Sequence, residues 1–336
     1  MTDSKKRLWI WLIAGLMLLC IVASAISLCV GSAQISVADI IPSLMGQRGQ
    51  ADYSILVNIR LPRILLGFAV GGALSLAGAL LQGIFRNPLV EPYTIGISGG
   101  ASLGVCLAII FDFHLFMGII AYPLSGFAGA LLTMFLVYFL SANKQVMRIQ
   151  GVLLTGVMIS FISSSLFMLI KSFSDDEDLR SIVFWIMGSL DEPNLALIWI
   201  AVGVSVSGLI ISYFFCLSLN AFALGEEEAA HLGVNTERAK KILFVIASIL
   251  TGLSVSVAGV IGFVGLVVPH LIRLFTGPDH RILLLASFLG GSAFMIFSDT
   301  IARTIIMPRE LPVGVITGII GGCVFIYALN KRKVNL

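Results

Sequence analysis

Apolar residues run along this chain in long blocks separated by short polar intervals. A helix needs about 20 apolar residues to cross a bilayer, and such stretches lie at 8–30, 62–84, 94–112, 117–140, 150–170, 194–217, 239–261, 263–276, 282–302 and 312–330. The pattern predicts an all-α polytopic membrane protein with ten transmembrane helices, the eighth unusually short. The block 8–30 is too long for the apolar core of a signal peptide and lacks a convincing cleavage site, so it reads as a retained first span.

Composition agrees with the pattern. Only 12% of residues are charged and 58% are hydrophobic, against about 25% charged in a soluble domain, and the mean hydropathy is +1.04. Lys and Arg are retained on the cytoplasmic side of such proteins. With ten spans the inner segments collect Lys5, Lys6, Arg7, Arg86, Lys144, Arg148, Arg238, Lys240, Lys241, Arg273, Arg281 and Lys331 to Lys333. The outer ones hold Arg48, Arg60, Arg63, Lys171, Arg180, Arg303 and Arg309. Both termini are therefore expected in the cytoplasm. No basic stripe suggests nucleic acid. Cys20, Cys29, Cys106, Cys216 and Cys323 lie in or near spans without a CxxC pair, and read as small buried hydrophobes.

The polar intervals carry more information than the spans. Residues 219–241, LNAFALGEEEAAHLGVNTERAKK, form a charge-dense, helix-forming island. A charge at the bilayer centre costs about 2.5–3.5 kcal/mol, so the island lies in water and reads as a docking surface. Gly225 and Gly233 divide it into two short helices, with Glu226, Glu227 and Glu228 in the first turn of the second, where the helix dipole favours acids. Leu219, Phe222, Leu224 and Leu232 give it an apolar side, and Thr236 is expected to cap the seventh span. On the outer face residues 31–59 and 172–192 remain as soluble stretches, the second an acidic cap followed by a short amphipathic helix.

The chain also repeats itself. Residues 71–88 laid over 252–269 match Gly71 with Gly252, Ser75 with Ser256, Ala77 with Ala258, Gly78 with Gly259 and Pro88 with Pro269. On the ten-span topology the copies run in opposite directions, which is the mark of an inverted repeat in transporters. Gly67, Gly71 and Ser75 recur on one helix face and read as a close-packing surface.

Several motifs admit two readings. Arg60-Leu-Pro-Arg63 is either a lipid anchor of snorkelling arginines or, with Arg303, a positive rim that pairs with carboxylates of an extracytoplasmic partner. Residues 262–273, GFVGLVVPHLIR, form a glycine-interrupted short span such as lines a transport pathway. Ser160 and Ser164 share one face of the fifth span, where they either bond back to their own helix or form a polar pathway wall. Gly96-Ile-Ser98-Gly99 matches the nucleophile pattern of intramembrane rhomboid proteases; candidate bases at membrane depth are few, and His270 sits at the same cytoplasmic side where Ser98 starts its span. No HExxH or GxxxxGK[ST] is present, so neither a zinc site nor nucleotide hydrolysis is expected of this chain. A secondary transporter is the other alternative, though it wants ionisable residues inside spans, and Asp299 is the main one.

Taken together, RLPR at 60–63, RNPLVEP at 86–92, GISGGASLG at 96–104, ALGEEEAAHLG at 223–233, GFVGLVVPHLIR at 262–273 and ELPVGVITGIIGG at 310–322 resemble the FecCD-type permease family of ABC importers for iron-siderophore complexes, haem and cobalamin. The resemblance implies a single permease domain over 1–336 with type II ABC importer architecture. It implies a homodimer, or a pair with a close paralogue, in a prokaryotic cytoplasmic membrane. Two cytoplasmic ATPases would carry ATP and magnesium, this chain binding no cofactor or metal, and an extracytoplasmic binding protein would deliver substrate. On this resemblance residues 219–235 are the coupling element, with Leu219, Phe222, Leu224, Gly225, Glu226, Glu227, Glu228, His231, Leu232 and Gly233 seating on the ATPase. Arg60, Arg63 and Arg303 face the binding protein. The fifth span, with Ser160, Ser164 and Phe167, lines the pathway, and a short helix at 178–190 gates it. Cys323 stands where the family usually has proline, and Glu91 where it commonly has aspartate.

Overall fold

The computed structural model describes residues 3–31, 42, 50–143, 146–147 and 149–333. Arg48, Lys144 and Arg148 of the charge comparison, and most of the 31–59 segment, lie outside the described residues. Apart from a two-residue antiparallel pairing of Ala142–Asn143 with Val146–Met147, the described elements are helices.

The helices are α1 (Asp3–Cys29), α2 (Leu61–Phe85), α3 (Ile97–Ile110), α4 (Ala121–Ser141), α5 (Ile149–Lys171), α6 (Asp176–Met187) and α7 (Leu195–Tyr213). They continue as α8 (Cys216–Phe222), α9 (Glu226–His231), α10 (Thr236–Ala258), α11 (Val264–Thr276), α12 (His280–Thr304) and α13 (Val313–Lys333). Among the described residues seven helical stretches are long and apolar enough to cross a membrane, and Ile97–Ile110, Val264–Thr276 and Val313–Ala328 are shorter apolar helices. Together they occupy the ten expected blocks. Two boundaries differ from expectation. Residues 50–60, read as a soluble outer stretch, form helix continuous with α2 through a π turn at Ile55–Arg60, because Leu56 and Arg60 find buried positions there. The block at 194–217 ends early at Tyr213, and the next helix begins at Cys216.

Helix α2 is the centre of the bundle. All of it is buried except Leu61, Leu65 and Phe68, and it packs against α7, α10, α11 and α12. Small residues make this possible. A Cβ on Gly71 would collide with the carbonyl of Gly291 in α12, and one on Gly78 with that of Gly265 in α11. Without a hydrophobic drive between helices in lipid, backbone approach of this kind supplies the dispersion contacts. Gly100 and Gly129 do the same between α3 and α4.

The two copies of the repeat differ locally. The first is continuous helix as far as Phe85, whereas the second breaks at Gly259, whose φ is +70°, and resumes at Val264. The break is satisfied by Glu91 of the RNPLVEP turn and by Tyr93 just after it. Glu91 Oε1 accepts from Phe263 N at 2.8 Å, and the Tyr93 hydroxyl donates to Ile261 O at 3.0 Å while accepting from Ile261 N at 3.1 Å. Irregular backbone at membrane depth is tolerated where protein groups complete its hydrogen bonds.

Candidate functional site

Three regions carry the residues singled out by the sequence. The first is the α8–α9 segment. Leu219 and Phe222 lie inside the main core cluster, and Gly83 of α2 leaves the room: a Cβ there would stand 2.8 Å from Leu219 Cδ2 and 2.9 Å from His280 Nε2. Asn220 ties the same segment to the start of α12, donating to Asp279 Oδ1 at 2.9 Å and accepting from His280 N at 2.8 Å. Hydrogen bonds from Arg281 above all, and then from Asn220, hold the Asp279 carboxyl down to about 2 against its partial desolvation.

Gly225, at φ +132°, turns the chain between α8 and α9 in a conformation open to glycine. Glu226, Glu227 and Glu228 fill the first turn of α9. Lys240 of α10, 1% exposed, bonds Glu226 Oε2 at 3.0 Å and Glu237 Oε1 at 2.6 Å. The cap of α10 is Asn235, whose side chain accepts from Arg238 N, and not Thr236. The apolar side of the island thus splits. Leu219 and Phe222 seat it on its own spans, while Leu224 and Leu232, 65% and 64% exposed, face outward with Glu227, Glu228, His231 and Gly233.

The second region is the arginine rim. Arg60, Arg63 and Arg303 are brought together but buried, at 2%, 6% and 7% exposure. Arg63 pairs with Glu310 at 2.8 Å, Asp191 at 3.2 Å and Asp299 at 3.9 Å. Arg303 pairs with Asp299 at 2.8 Å and donates to Ser27 Oγ at 2.7 Å, and Arg60 donates to the Leu28 carbonyl. The surface of this cluster is carboxylate: the side chains of Asp191 and Glu310 are 72% and 51% exposed. Sequence reasoning missed both as members. Beside the rim lie two cavities of about 550 and 370 Å³, which share Tyr122, Phe184, Trp185, Ser189 and Asp191.

The third region is α5. Among the described side chains of this helix only Val152, Gly156 and Ser163 are buried, so most of it is uncovered by its own chain. Ser160 Oγ bonds back to Gly156 O at 3.0 Å, and Ser164 is exposed. Phe167 packs against the cluster of Val105, Cys106, Ile109 and Ile182, which brings α3, α5 and α6 together. His270 meets Phe325 of α13 ring edge to ring at 5.5 Å. Among the described residues no group of three His, Cys, Asp or Glu side chains could hold a metal ion.

The FecCD transport family model matches residues 18–331. The chain belongs to the FecCD transport family. It is 39% identical to the hemin transport system permease protein HmuU of Yersinia pestis, over 84% of this chain and 85% of that one. It is also 39% identical to the cobalamin import system permease protein BtuC of Halobacterium salinarum, over 84% and 74% of the two chains. A solved structure described as an inward-facing metal-chelate type ABC transporter superposes with a TM-score of 0.82 at 33% identity, covering 96% of this chain and 99% of the other. This FecCD chain is accordingly a multi-pass ABC transporter permease. The family match leaves the secondary-transporter and serine-protease alternatives without support.

Proposed function

We propose that this permease carries a metal chelate, namely haem, cobalamin or a ferric siderophore, into the cytoplasm as one of two copies around a shared pathway. The observation that supports this most is the α8–α9 segment, anchored inward by Leu219, Phe222 and Lys240 and presenting Leu224, Leu232, Glu227 and Glu228 outward. Such a segment transmits force, because its base is fixed to α2, α10 and α12 while its outer side is free for a partner. Two ATPases that bind ATP and magnesium are that partner in this reading. The uncovered face of α5 serves the pathway and the second copy, and the arginine cluster with its two exposed carboxylates receives an extracytoplasmic binding protein. Both termini are cytoplasmic, and the three shorter helices cross with the seven longer ones.

Transport is by alternating access. ATP binding shifts the permease between two conformations only by binding one better than the other, and α8–α9 carries that difference to α2. The test is uptake by the reconstituted complex with its binding protein, offered haem, cobalamin and ferric siderophores in turn. ATP-dependent accumulation of one of them is expected. Absence of accumulation of all, in a complex whose ATPases hydrolyse ATP, would remove the proposal.

A further inference from the structure

A cavity of about 880 Å³ lies where the start of α1, the end of α8 and the α11–α12 turn meet. Two of the membrane-crossing stretches, Lys5–Cys29 and His280–Thr304, begin at its edge, which places it at a membrane surface. Leu8 of α1 and Phe275 of α11 line it and are both exposed, so its apolar side opens toward lipid. The half-buried Trp9 lies between them and the charged end, at the depth where tryptophan is enriched in membrane proteins.

The charged end holds Lys5, Arg281 and one carboxylate, Asp279. Arg281 donates from Nε and from one terminal nitrogen to Asp279, and its guanidinium stands 5.5 Å from the centre of the Trp9 ring. Lys5 pairs with no carboxylate among the described residues. The lining therefore carries one positive charge in excess. Helices α1 and α12 both start here, and their positive ends add to that charge.

One excess positive charge beside an apolar opening defines the chemistry of an occupant. A phosphodiester is a monoanion, and basic pockets between membrane helices take anionic lipid headgroups. A choline headgroup carries the same phosphate but brings a quaternary ammonium, which this end repels; the Trp9 face, best suited to hold such a cation, is taken by Arg281. Free phosphate would leave Leu8 and Phe275 uncovered. We propose that the cavity binds an anionic phospholipid, its phosphodiester between Lys5 and Arg281 and its acyl chains along Leu8 and Phe275. A lipid seated there joins α1 to the α11–α12 turn and, through the 2.9 Å bond from Asn220 to Asp279, to the α8–α9 segment. The inference needs only that the chain spans a membrane, whatever substrate it carries.

Trp9 is the natural reporter. The experiment uses the full chain with Trp11, Trp185 and Trp199 replaced by phenylalanine, in phosphatidylcholine vesicles containing some phosphatidylglycerol, with bromines on the acyl chains of one lipid or the other. Brominated phosphatidylglycerol should quench Trp9 about fivefold more effectively per molecule than brominated phosphatidylcholine, the preference expected of one charge at a membrane surface. Lys5→Gln, at an exposed position, should bring the preference to about one. Asp279→Asn should move it the other way, about fivefold higher, because a second positive charge is then uncompensated. A parent preference below about twofold, or one that Lys5→Gln leaves unchanged, would overturn the lipid site. Relief of the quenching by inorganic phosphate, beyond that caused by potassium chloride of equal ionic strength, would give the cavity to a free anion instead. Reduced co-purification of an ATPase subunit with Lys5→Gln, at an unchanged lipid preference, would give it to that protein.

Discussion

Lys240 and Glu226 join α10 to α9 by a 3.0 Å hydrogen bond, and the lysine end of that bond is buried. A charged hydrogen bond of this kind contributes about 1.5–3 kcal/mol, here to the position of a six-residue helix with little other anchorage. Lys240→Met keeps the apolar stem and removes the charge. Transport per ATP hydrolysed should fall about tenfold as α9 loosens, since 1.4 kcal/mol corresponds to that factor, with hydrolysis by the partner subunits retained. In the double variant with Glu226→Gln the further loss should be small, because the two act as one pair. Parallel measurement of uptake and phosphate release checks this, and unchanged uptake in Lys240→Met would deny the pair any part in coupling.

Gly78 and Gly265 approach backbone to backbone, where α2 crosses α11. Gly78→Ala should force these helices apart and cost about 1–3 kcal/mol or more, the usual penalty of overpacking. Gly15 is the control, since a Cβ there meets nothing within 4 Å. Gly15→Ala should leave thermal stability in detergent unchanged or slightly raised, as alanine lowers the entropy of the unfolded chain. Equal melting temperatures for the two variants would contradict the packing.

How far this was legible in the sequence depends on the range of the interaction. The spans follow from local composition, and the turn at Gly225, the acids after it and the break before Val264 follow from local chemistry. Seating does not. Leu219, Phe222, Leu224 and Leu232 look alike as apolar positions on a short helical island, and only Gly83 and His280, far away in the chain, decide that the first two are buried. The same holds at the rim. Arg60, Arg63 and Arg303 could be placed near one another from their span ends, but nothing periodic links Arg63 to Asp191 or Glu310. Thr236 and Asn235 are both good caps, and the geometry of one turn chose between them.

Asp279 gives the clearest dependence on pH. Its carboxyl is held at about 2, below the ordinary 3.8, chiefly by Arg281. A carboxylate with a lowered value stabilises the fold above the unfolded value and loses that contribution as pH falls through the folded one. The difference in thermal stability between the parent and Asp279→Asn should therefore be constant from pH 8 to about 5 and shrink between about 4 and 2. Melting curves across that range test it. A difference that vanished already near neutrality would mean that Asp279 is not the group responsible.

Leu224 and Leu232 separate docking from folding. Both are exposed on the α8–α9 segment, so Leu224→Glu and Leu232→Glu should leave the permease's melting temperature unchanged. In the reading of that surface as the ATPase seat, each should weaken co-purification of the ATPase about tenfold, as expected when a central apolar contact of an interface is lost. Leu219→Ala should behave in the opposite way. Its side chain is buried against α2, and truncation there costs about 2–5 kcal/mol of stability, with association reduced only as far as the fold is. Affinity measured beside melting temperature for the three variants distinguishes the two effects. Full ATPase binding by both glutamate variants would place the seat elsewhere on the cytoplasmic face.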